Sequence, residues 1–264
     1  MNKMAIIQFP GTNCEYETLR AIRHYGVQAD LVRWNEPLDS FSTYEGFVLP
    51  GGFSFQDRVR AGAIAAKLPV MSVIQQAASA GKPVLGICNG CQILAEAGLF
   101  PNTHGSNHLE VALAPNQRDA KPLGFVCDWV NVKVINPQNS LFTRYFSSED
   151  VIPIPINHGE GRFVLESELD PTLTFLQYCM WDGYVLDSYP TNPNGASHNI
   201  AAIASPQGNV MGMMPHPERA AFLKQVPSWI QGPWGEKKHA FVTTDFYAPG
   251  PWEKLFVSLK EYLL

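Results

Sequence analysis

A short stretch at residues 86–90, Gly-Ile-Cys-Asn-Gly, places a cysteine between two glycines where a buried strand gives way to a helix. The apolar run at 83–87 predicts the strand, and residues 92–97 predict the helix, which ends at Gly98. This pattern is typical of a nucleophile elbow, because small residues two positions either side of the nucleophile let strand and helix approach closely. The pattern therefore predicts a strand-turn-helix unit with Cys88 at the helix N-terminus. The helix dipole at this position favours the thiolate form of the cysteine.

Other interpretations of Cys88 stay open on these residues alone. Cys88 and Cys91 form a C-x-x-C pair, which is typical of thioredoxin-like redox motifs and of half a zinc site. A lone cysteine of this kind is also often a buried structural residue. A zinc site needs a second pair of ligands, but the other three cysteines are isolated, and His104 and His108 lie in a loop rich in glycine, asparagine and serine. We therefore expect no metal site.

A histidine between two prolines in the C-terminal half offers a general base. Residues 209–214 predict a strand that runs into Pro-His-Pro-Glu at 215–218, where the prolines end the strand and fix the backbone. The carboxylate of Glu218 can hold one imidazole nitrogen of His216 so that the other nitrogen accepts a thiol proton. Together with Cys88, these two residues predict a triad for nucleophilic catalysis.

A glycine pair after another short strand supplies hydrogen-bond donors. Residues 46–49 predict the strand, and Gly51 and Gly52 lie in the loop that follows it. An acyl transfer needs N–H groups aimed at the developing oxyanion, and the amides of Gly52 and Asn89 are the natural candidates. An ordinary turn is the alternative interpretation of this loop.

The order of these motifs resembles the class I, or triad, glutamine amidotransferases, and more narrowly the glutaminase subunit of phosphoribosylformylglycinamidine synthase. The segments that carry the resemblance lie at 9–14, 49–54, 86–90, 158–163, 190–195 and 212–219. The resemblance implies that Cys88 is the nucleophile, that His216 is the general base and then acid, and that Glu218 orients it. It further implies that Gly52 and Asn89 donate to the oxyanion.

The same resemblance implies that Gly51 and Gln92 line a glutamine-binding pocket. Two residues depart from the family pattern: Cys91 stands where a larger apolar side chain is usual, and Asp128 stands where an arginine usually precedes the tryptophan. The first departure is expected to change packing beside the nucleophile. The second removes any contact that the arginine makes.

The implied reaction is hydrolysis of L-glutamine to glutamate and ammonia through a cysteine thioester. The ammonia would pass to a large synthetase subunit that makes formylglycinamidine ribonucleotide in de novo purine biosynthesis, with a third small subunit as a further partner. Gly81 and Lys82 form the single Gly-Lys pair and lack the rest of a P-loop, so we expect no cofactor in this chain and expect ATP and Mg²⁺ on the synthetase. A synthetase that makes CTP or carbamoyl phosphate, and a binding module without catalysis, are the alternatives.

Composition predicts a single domain over residues 1–264, because 264 residues that are 45% hydrophobic can bury one sizeable core. A net charge of −5 without a basic run argues against nucleic acid as a partner, and no apolar run has the length of a membrane span. Five cysteines, an odd number, favour a reducing compartment, so a cytoplasmic location is expected.

Alternating strand and helix patterns predict an α/β fold, an open and mostly parallel twisted sheet flanked by helices, flavodoxin-like as the resemblance also implies, with a β-rich second half. The expected strands lie at 4–9, 28–34, 46–49, 83–87 and 209–214, with β segments at 109–114 and 125–135. Helices are expected at 15–25 and at 64–80, the latter divided at Pro69.

Residues 221–251 form a segment that these motifs do not explain. It carries large aromatic side chains among prolines and glycines: Trp229, Trp234, Phe241, Phe246 and Tyr247. Such aromatics either fold back as a satellite cluster or anchor a partner. We expect a partner-docking or covering extension, in which Trp234→Ala weakens complex formation or ammonia transfer more than it lowers the melting temperature.

Overall fold

The computed structural model describes residues 2–105, 108–241 and 245–264, and its first half alternates strands with helices as predicted. The elements there are β1 (Lys3–Gln8), α1 (Glu15–His24), β2 (Gln28–Arg33), β3 (Gly46–Leu49), α2 (Val70–Ser79), β4 (Val84–Ile87) and α3 (Asn89–Glu96). The strands that follow are β5 (Val111–Ala114), β6 (Gln117–Arg118), β7 (Lys121–Pro122), β8 (Val126–Val134), β9 (Val151–His158), β10 (Arg162–Leu165), β11 (Thr174–Cys179), β12 (Ile200–Ala204) and β13 (Val210–Met213). Two helices complete the chain, α4 (Pro233–Ala240) and α5 (Glu253–Leu263).

Nine strands form one sheet in the order β2-β1-β3-β4-β13-β12-β11-β8-β9. The strands from β2 to β13 pair in parallel, and those from β13 to β9 pair antiparallel. The parallel part follows the flavodoxin-like strand order, and the antiparallel part is the β-rich second half, so the predicted fold class is confirmed. Because β3, β4 and β13 are neighbours, the loops after these three strands meet at one edge of the sheet.

The central strands are buried on both faces. Every residue of β3, β4 and β13 is buried, as expected where helices cover both sides of a parallel sheet, and every residue of the antiparallel strand β12 is buried as well. Helix α3 is also buried along its whole length. The helix after Cys88 is therefore part of the core, which holds its N-terminus in a fixed position.

Element boundaries differ from the sequence-based ones by a few residues. Helix α3 begins at Asn89 rather than at residue 92, because the polar Asn89 and Gly90 give no apolar signal although both are buried. Pro69 separates a short 3₁₀ turn at Ala65–Lys67 from α2, as predicted. No helix within the described ranges is long and apolar enough to cross a membrane.

The segment at 221–251 contributes both a small core and exposed aromatics. Leu223, Val226 and Ile230 form a satellite cluster, and Trp234 packs against it half-buried. The indole of Trp229 remains 62% exposed, and two further aromatics are exposed, Phe246 and Tyr247. Positions 242–244 lie outside the described residues. The docking role of the segment stays a prediction.

Candidate active site

Cys88 lies at the end of β4 in a strained backbone conformation. Its φ of 51° and ψ of −106° are rare for a residue with a side chain, and its amide donates to the Met213 carbonyl at 2.8 Å. The flanking glycines are required by close approach: a Cβ on Gly90 would lie 1.8 Å from the Leu49 carbonyl oxygen, and one on Gly86 would lie 2.7 Å from the Gly90 oxygen. This is the elbow geometry that the sequence predicts.

His216 and Glu218 form a buried pair just after β13. The imidazole Nδ1 lies 2.6 Å from Glu218 Oε1, and neither side chain is exposed to more than 2%. The carboxylate thereby fixes the tautomer with a proton on Nδ1 and leaves Nε2 to accept. Nε2 is buried and has no hydrogen-bond partner among the described residues, as expected of a base that awaits its substrate.

The Cys88 thiol is close enough to His216 to affect its titration. Burial alone would lower the pKa of His216, but the Glu218 carboxylate, the Cys88 sulfur and the Cys14 thiol together raise that pKa well above the usual value. This environment favours the imidazolium that forms when the thiol gives up its proton. In the resting geometry the thiol instead donates to the Asn157 carbonyl at 3.6 Å, and such loose contacts are common before substrate binds.

The loop after β3 approaches the same point. Gly52 has a φ of +151°, and a Cβ there would lie 2.7 Å from Thr12 Cα, so only glycine fits. Asn89 is the first residue of α3, where backbone amides have no partner within the helix. Its side-chain Oδ1 accepts from the Ser54 amide at 2.9 Å, which ties the glycine loop to the helix N-terminus. The proposed oxyanion donors, Gly52 and Asn89, therefore lie in two segments that a hydrogen bond holds together.

Gly51 and Gln92, the two residues expected to line the substrate pocket, lie close to His216 and to Asn89 respectively. A Cβ on Gly51 would lie 2.7 Å from His216 Cε1, so the absent side chain makes room for the base. Gln92 is buried, with Nε2 donating to the Glu160 carbonyl at 2.6 Å and Oε1 accepting from Asn89 Nδ2 at 2.9 Å. The side-chain amide of Gln92 thus stabilises the first turn of α3.

The structure adds residues that sequence reasoning had not assigned. The Cys14 thiol lies beside the base and accepts from Arg219 Nη2 at 3.2 Å, and burial raises its pKa to about 11. His158 is buried, and burial, followed by the charge of His216, lowers its pKa to about 3, which keeps the ring neutral. Both residues lie within sequence segments that carry the family resemblance, and this placement is the sequence feature that could have identified them.

Cys14, His216 and Glu218 also offer three ligand atoms within 4.8 Å of one another. A dication at that point would face the guanidinium of Arg219, which contacts the Cys14 sulfur. The Nδ1 proton that links His216 to Glu218 would also have to leave. The arrangement is therefore that of a supported base rather than of a metal centre.

Cys91 differs sharply from its neighbour in the C-x-x-C pair. It is fully buried, it packs against Gly212 of β13, and burial raises its pKa well above the usual value. All five cysteines, Cys88 and Cys91 included, are unpaired. The second thiol of a redox pair must attack as a thiolate, which burial disfavours at Cys91, so this geometry does not favour that alternative. The other departure, Asp128, is exposed and accepts from the Trp129 amide at 2.8 Å.

Comparisons with known proteins support the family resemblance that the sequence motifs indicate. Residues 1–263 match the CobB/CobQ-like glutamine amidotransferase domain. The chain is 40% identical to the phosphoribosylformylglycinamidine synthase subunit PurQ of Methanothrix thermoacetophila, over 99% of this chain and 98% of that protein. It is 43% identical to the same subunit of Pyrococcus furiosus, over 84% and 90%. A solved structure of PurLQS from Thermotoga maritima superposes with a TM-score of 0.71 at 34% identity, covering both chains fully.

Proposed function

The chain belongs to the family of CobB/CobQ-like glutamine amidotransferase domains, and from this premise we propose how it works as a glutaminase subunit of phosphoribosylformylglycinamidine synthase. It hydrolyses glutamine to glutamate and ammonia, and the ammonia serves the synthesis of formylglycinamidine ribonucleotide in purine biosynthesis. The observation that carries the mechanism is the buried His216–Glu218 pair, which lies close enough to the Cys88 thiol, on its strained bend, for that thiol to raise the pKa of the imidazole.

The first half-reaction forms the thioester. His216 Nε2 takes the Cys88 proton, and the thiolate attacks the side-chain amide carbon of glutamine. Negative charge that develops on the amide oxygen is met by the N–H groups of Gly52 and Asn89. When the carbonyl re-forms, the imidazolium protonates the leaving nitrogen, so ammonia departs and a γ-glutamyl thioester remains on sulfur.

The second half-reaction uses the same groups in reverse. His216 removes a proton from water as the oxygen attacks the thioester carbon, and the two amides again stabilise the oxyanion. Collapse expels the Cys88 thiolate, which regains its proton from the imidazolium, and glutamate leaves. Glu218 stays ionised throughout and stabilises the positive ring.

The partner in this proposal is a large synthetase subunit, with a small third subunit, as the name of the PurLQS complex suggests. We place ATP and Mg²⁺ on that synthetase, because activation of a formamide oxygen needs a nucleotide. The five free thiols fit a reducing compartment, so we further propose that the protein works in the cytoplasm.

The test separates glutamine chemistry from synthesis in the assembled complex. His216→Ala should lower glutamine-dependent amidine formation by about two to four orders of magnitude, and activity with added ammonia should persist. Glu218→Gln should be milder, since it removes orientation and charge but leaves the base. Loss of the ammonia-dependent activity in His216→Ala would contradict the division of labour, and equal damage in both variants would show that the ring has no working orientation without its carboxylate.

A further inference from the structure

The segment at 9–14 carries part of the family resemblance but has no role in the two half-reactions. It forms the bend between β1 and α1, and hydrogen bonds tie its end to the loop after β3. The amides of Asn13 and Cys14 donate to the Gly51 carbonyl at 3.3 and 3.2 Å. The side chain of Cys14 therefore projects from a backbone that is fixed to the glycine loop.

The sulfur of Cys14 lies against the buried pair of His216 and Glu218. Its Sγ, a ring nitrogen of His216 and a carboxylate oxygen of Glu218 all lie within 4.8 Å of one another. A Cβ on Gly51 would lie 3.0 Å from Cys14 Sγ and 2.7 Å from His216 Cε1, so the sulfur and the edge of the ring approach the same point. Cys14 is 1% exposed, and close packing restricts side-chain movement at such a position.

Polar contacts orient the Cys14 side chain. Its thiol donates to Asn13 Oδ1 at 3.1 Å, and its sulfur accepts from Arg219 Nη2 at 3.2 Å. The guanidinium is held in turn by α1, because Arg219 Nε donates to Glu17 Oε1 at 2.8 Å. A chain of contacts therefore runs from the ion pair of Arg219 and Glu17, through the sulfur, to the imidazole of His216.

The environment of Cys14 argues against a role as a second nucleophile. Burial raises the pKa of its thiol to about 11, so the thiol stays neutral near pH 7 and is not a good nucleophile. A neutral thiol is a weak hydrogen-bonding partner that packs like a small apolar group. At this place it can support the imidazole without adding a charge that competes with Glu218.

Groups from four parts of the chain affect the protonation of His216. Burial alone would lower the pKa of the imidazole, whereas Glu218 from the same turn, Cys88 from the end of β4 and Cys14 from the start of α1 together raise it well above its usual value. His158, at the end of β9, interacts with the ring as a neutral imidazole, since burial lowers its pKa to about 3. Loss of the Cys14 thiol should therefore lower the pKa of the base.

We infer that Cys14 is a positioning residue: its sulfur, held by Arg219, keeps the imidazole of His216 in the orientation needed for proton transfer. This rests on the proposed function, in which His216 acts as base and then as acid. Glu218 binds the ring at Nδ1 alone, and a single hydrogen bond leaves the ring free to tilt about that contact. A contact at the neighbouring edge removes this freedom, and misplacement of a catalytic group by about 1 Å can cost about a hundredfold in rate.

The test removes the thiol and then restores a polar group of similar shape. Cys14→Ala should lower kcat for glutamine hydrolysis in the assembled complex about ten- to a hundredfold with little change in KM, because the base moves while substrate contacts remain. Cys14→Ser should recover most of the rate, since its hydroxyl can donate to Asn13 and accept from Arg219. Cys179→Ala, which removes a buried thiol from β11, is the matched control and should change neither constant.

The pH profile supplies a readout that packing alone would not move. On the alkaline side, kcat falls when the imidazolium that protonates the leaving nitrogen loses its proton. Because Cys14 contributes to the raised pKa of His216, this alkaline limb should lie at lower pH in Cys14→Ala than in wild type. Cys14→Ser should return the limb toward the wild-type position. Glutamate release measured across the pH range gives the profile of each variant.

A substitution at the other end of the contact chain leaves the buried thiol in place. Arg219→Gln should lower kcat less than Cys14→Ala does, because the sulfur remains beside the ring but loses one of its two polar contacts. The double variant should be no slower than Cys14→Ala, because Arg219 acts on the ring through the sulfur.

An unchanged kcat and an unmoved alkaline limb in Cys14→Ala would overturn the inference. A lower kcat or melting temperature with an unmoved limb would also overturn it, since a merely structural role predicts that pattern, and so would additive losses in the double variant. Absence of glutamine hydrolysis by the wild-type complex would instead refute the proposed function itself. The two failures are therefore distinguishable.

Discussion

At the residue scale, Cys88 and Cys91 are three positions apart yet differ in backbone conformation and in their neighbours. Cys88 lies on a strained bend, close enough to His216 to raise the pKa of the imidazole, whereas Cys91 is enclosed against Gly212. A glutamine-like diazo ketone should therefore alkylate Cys88 and spare Cys91, as mapped by peptide mass spectrometry. Cys88→Ala should abolish glutamine hydrolysis, while Cys91→Ser should retain much of it. Equal loss in both variants would return the C-x-x-C pair to consideration as a redox centre.

The candidate triad could be proposed from the sequence at this scale because each member carries a local signature: glycines around the thiol, prolines around the imidazole, and a carboxylate two residues on. Cys14 and His158 have no such local signature. Their relation to the site arises from contacts between segments far apart in the chain, such as the contact of Arg219 with Cys14. Only the folded arrangement shows them.

At the scale of elements, the packing of α3 against β3 controls the geometry of the site. A methyl group on Gly90 would overlap the Leu49 carbonyl and push apart the loops that hold the proposed nucleophile, Cys88, and the proposed oxyanion donor Gly52. Gly90→Ala should lower the free energy of unfolding by about 1–3 kcal/mol and reduce glutamine hydrolysis well beyond that of a merely destabilised chain. Thermal melting and steady-state kinetics below the transition provide the measurement.

Gly159→Ala is the control for this change, because a Cβ there meets nothing nearer than Phe125 Cδ2 at 3.7 Å. Full glutamine-hydrolysing activity in Gly90→Ala would mean that α3 can move away from β3 without disturbing the site. Helices and strands were predictable from the sequence where their apolar runs are long. Helix α3 begins three residues before its apolar pattern, because Asn89 and Gly90 are buried without being apolar.

At the scale of the whole molecule, the aromatic segment at 221–251 divides into two parts with different expected roles. Trp234 packs on the satellite cluster of Leu223, Val226 and Ile230, whereas Trp229 is largely exposed on a groove of about 560 Å³. In contrast to the expectation from the sequence, Trp234→Ala should therefore act mainly on stability and lower the melting temperature by several degrees, for a loss of about 1–3 kcal/mol. Trp229→Ala should leave melting nearly unchanged but weaken synthetase binding about tenfold.

Calorimetric melting of the isolated chain and titration with the synthetase would separate the two effects. Unchanged partner affinity in Trp229→Ala would show that this indole is not part of the interface.

The sequence predicts that the segment at 221–251 is aromatic and irregular. It could not assign each indole to core or surface, because that depends on which strand lies beneath it. The strand order itself was predictable in class, since parallel runs buried on both faces read as continuous apolar segments.

Cys88 is 5% exposed and His216 is buried, so ammonia forms where bulk water is nearly absent. Ammonia is basic enough that, once free in water near neutral pH, it becomes almost entirely ammonium, which has no lone pair with which to attack carbon. A product released into solvent would thus lose its nucleophilicity as well as its high local concentration. The enclosure of Cys88 and His216 therefore preserves the reactive, uncharged form of the nitrogen until it leaves the site.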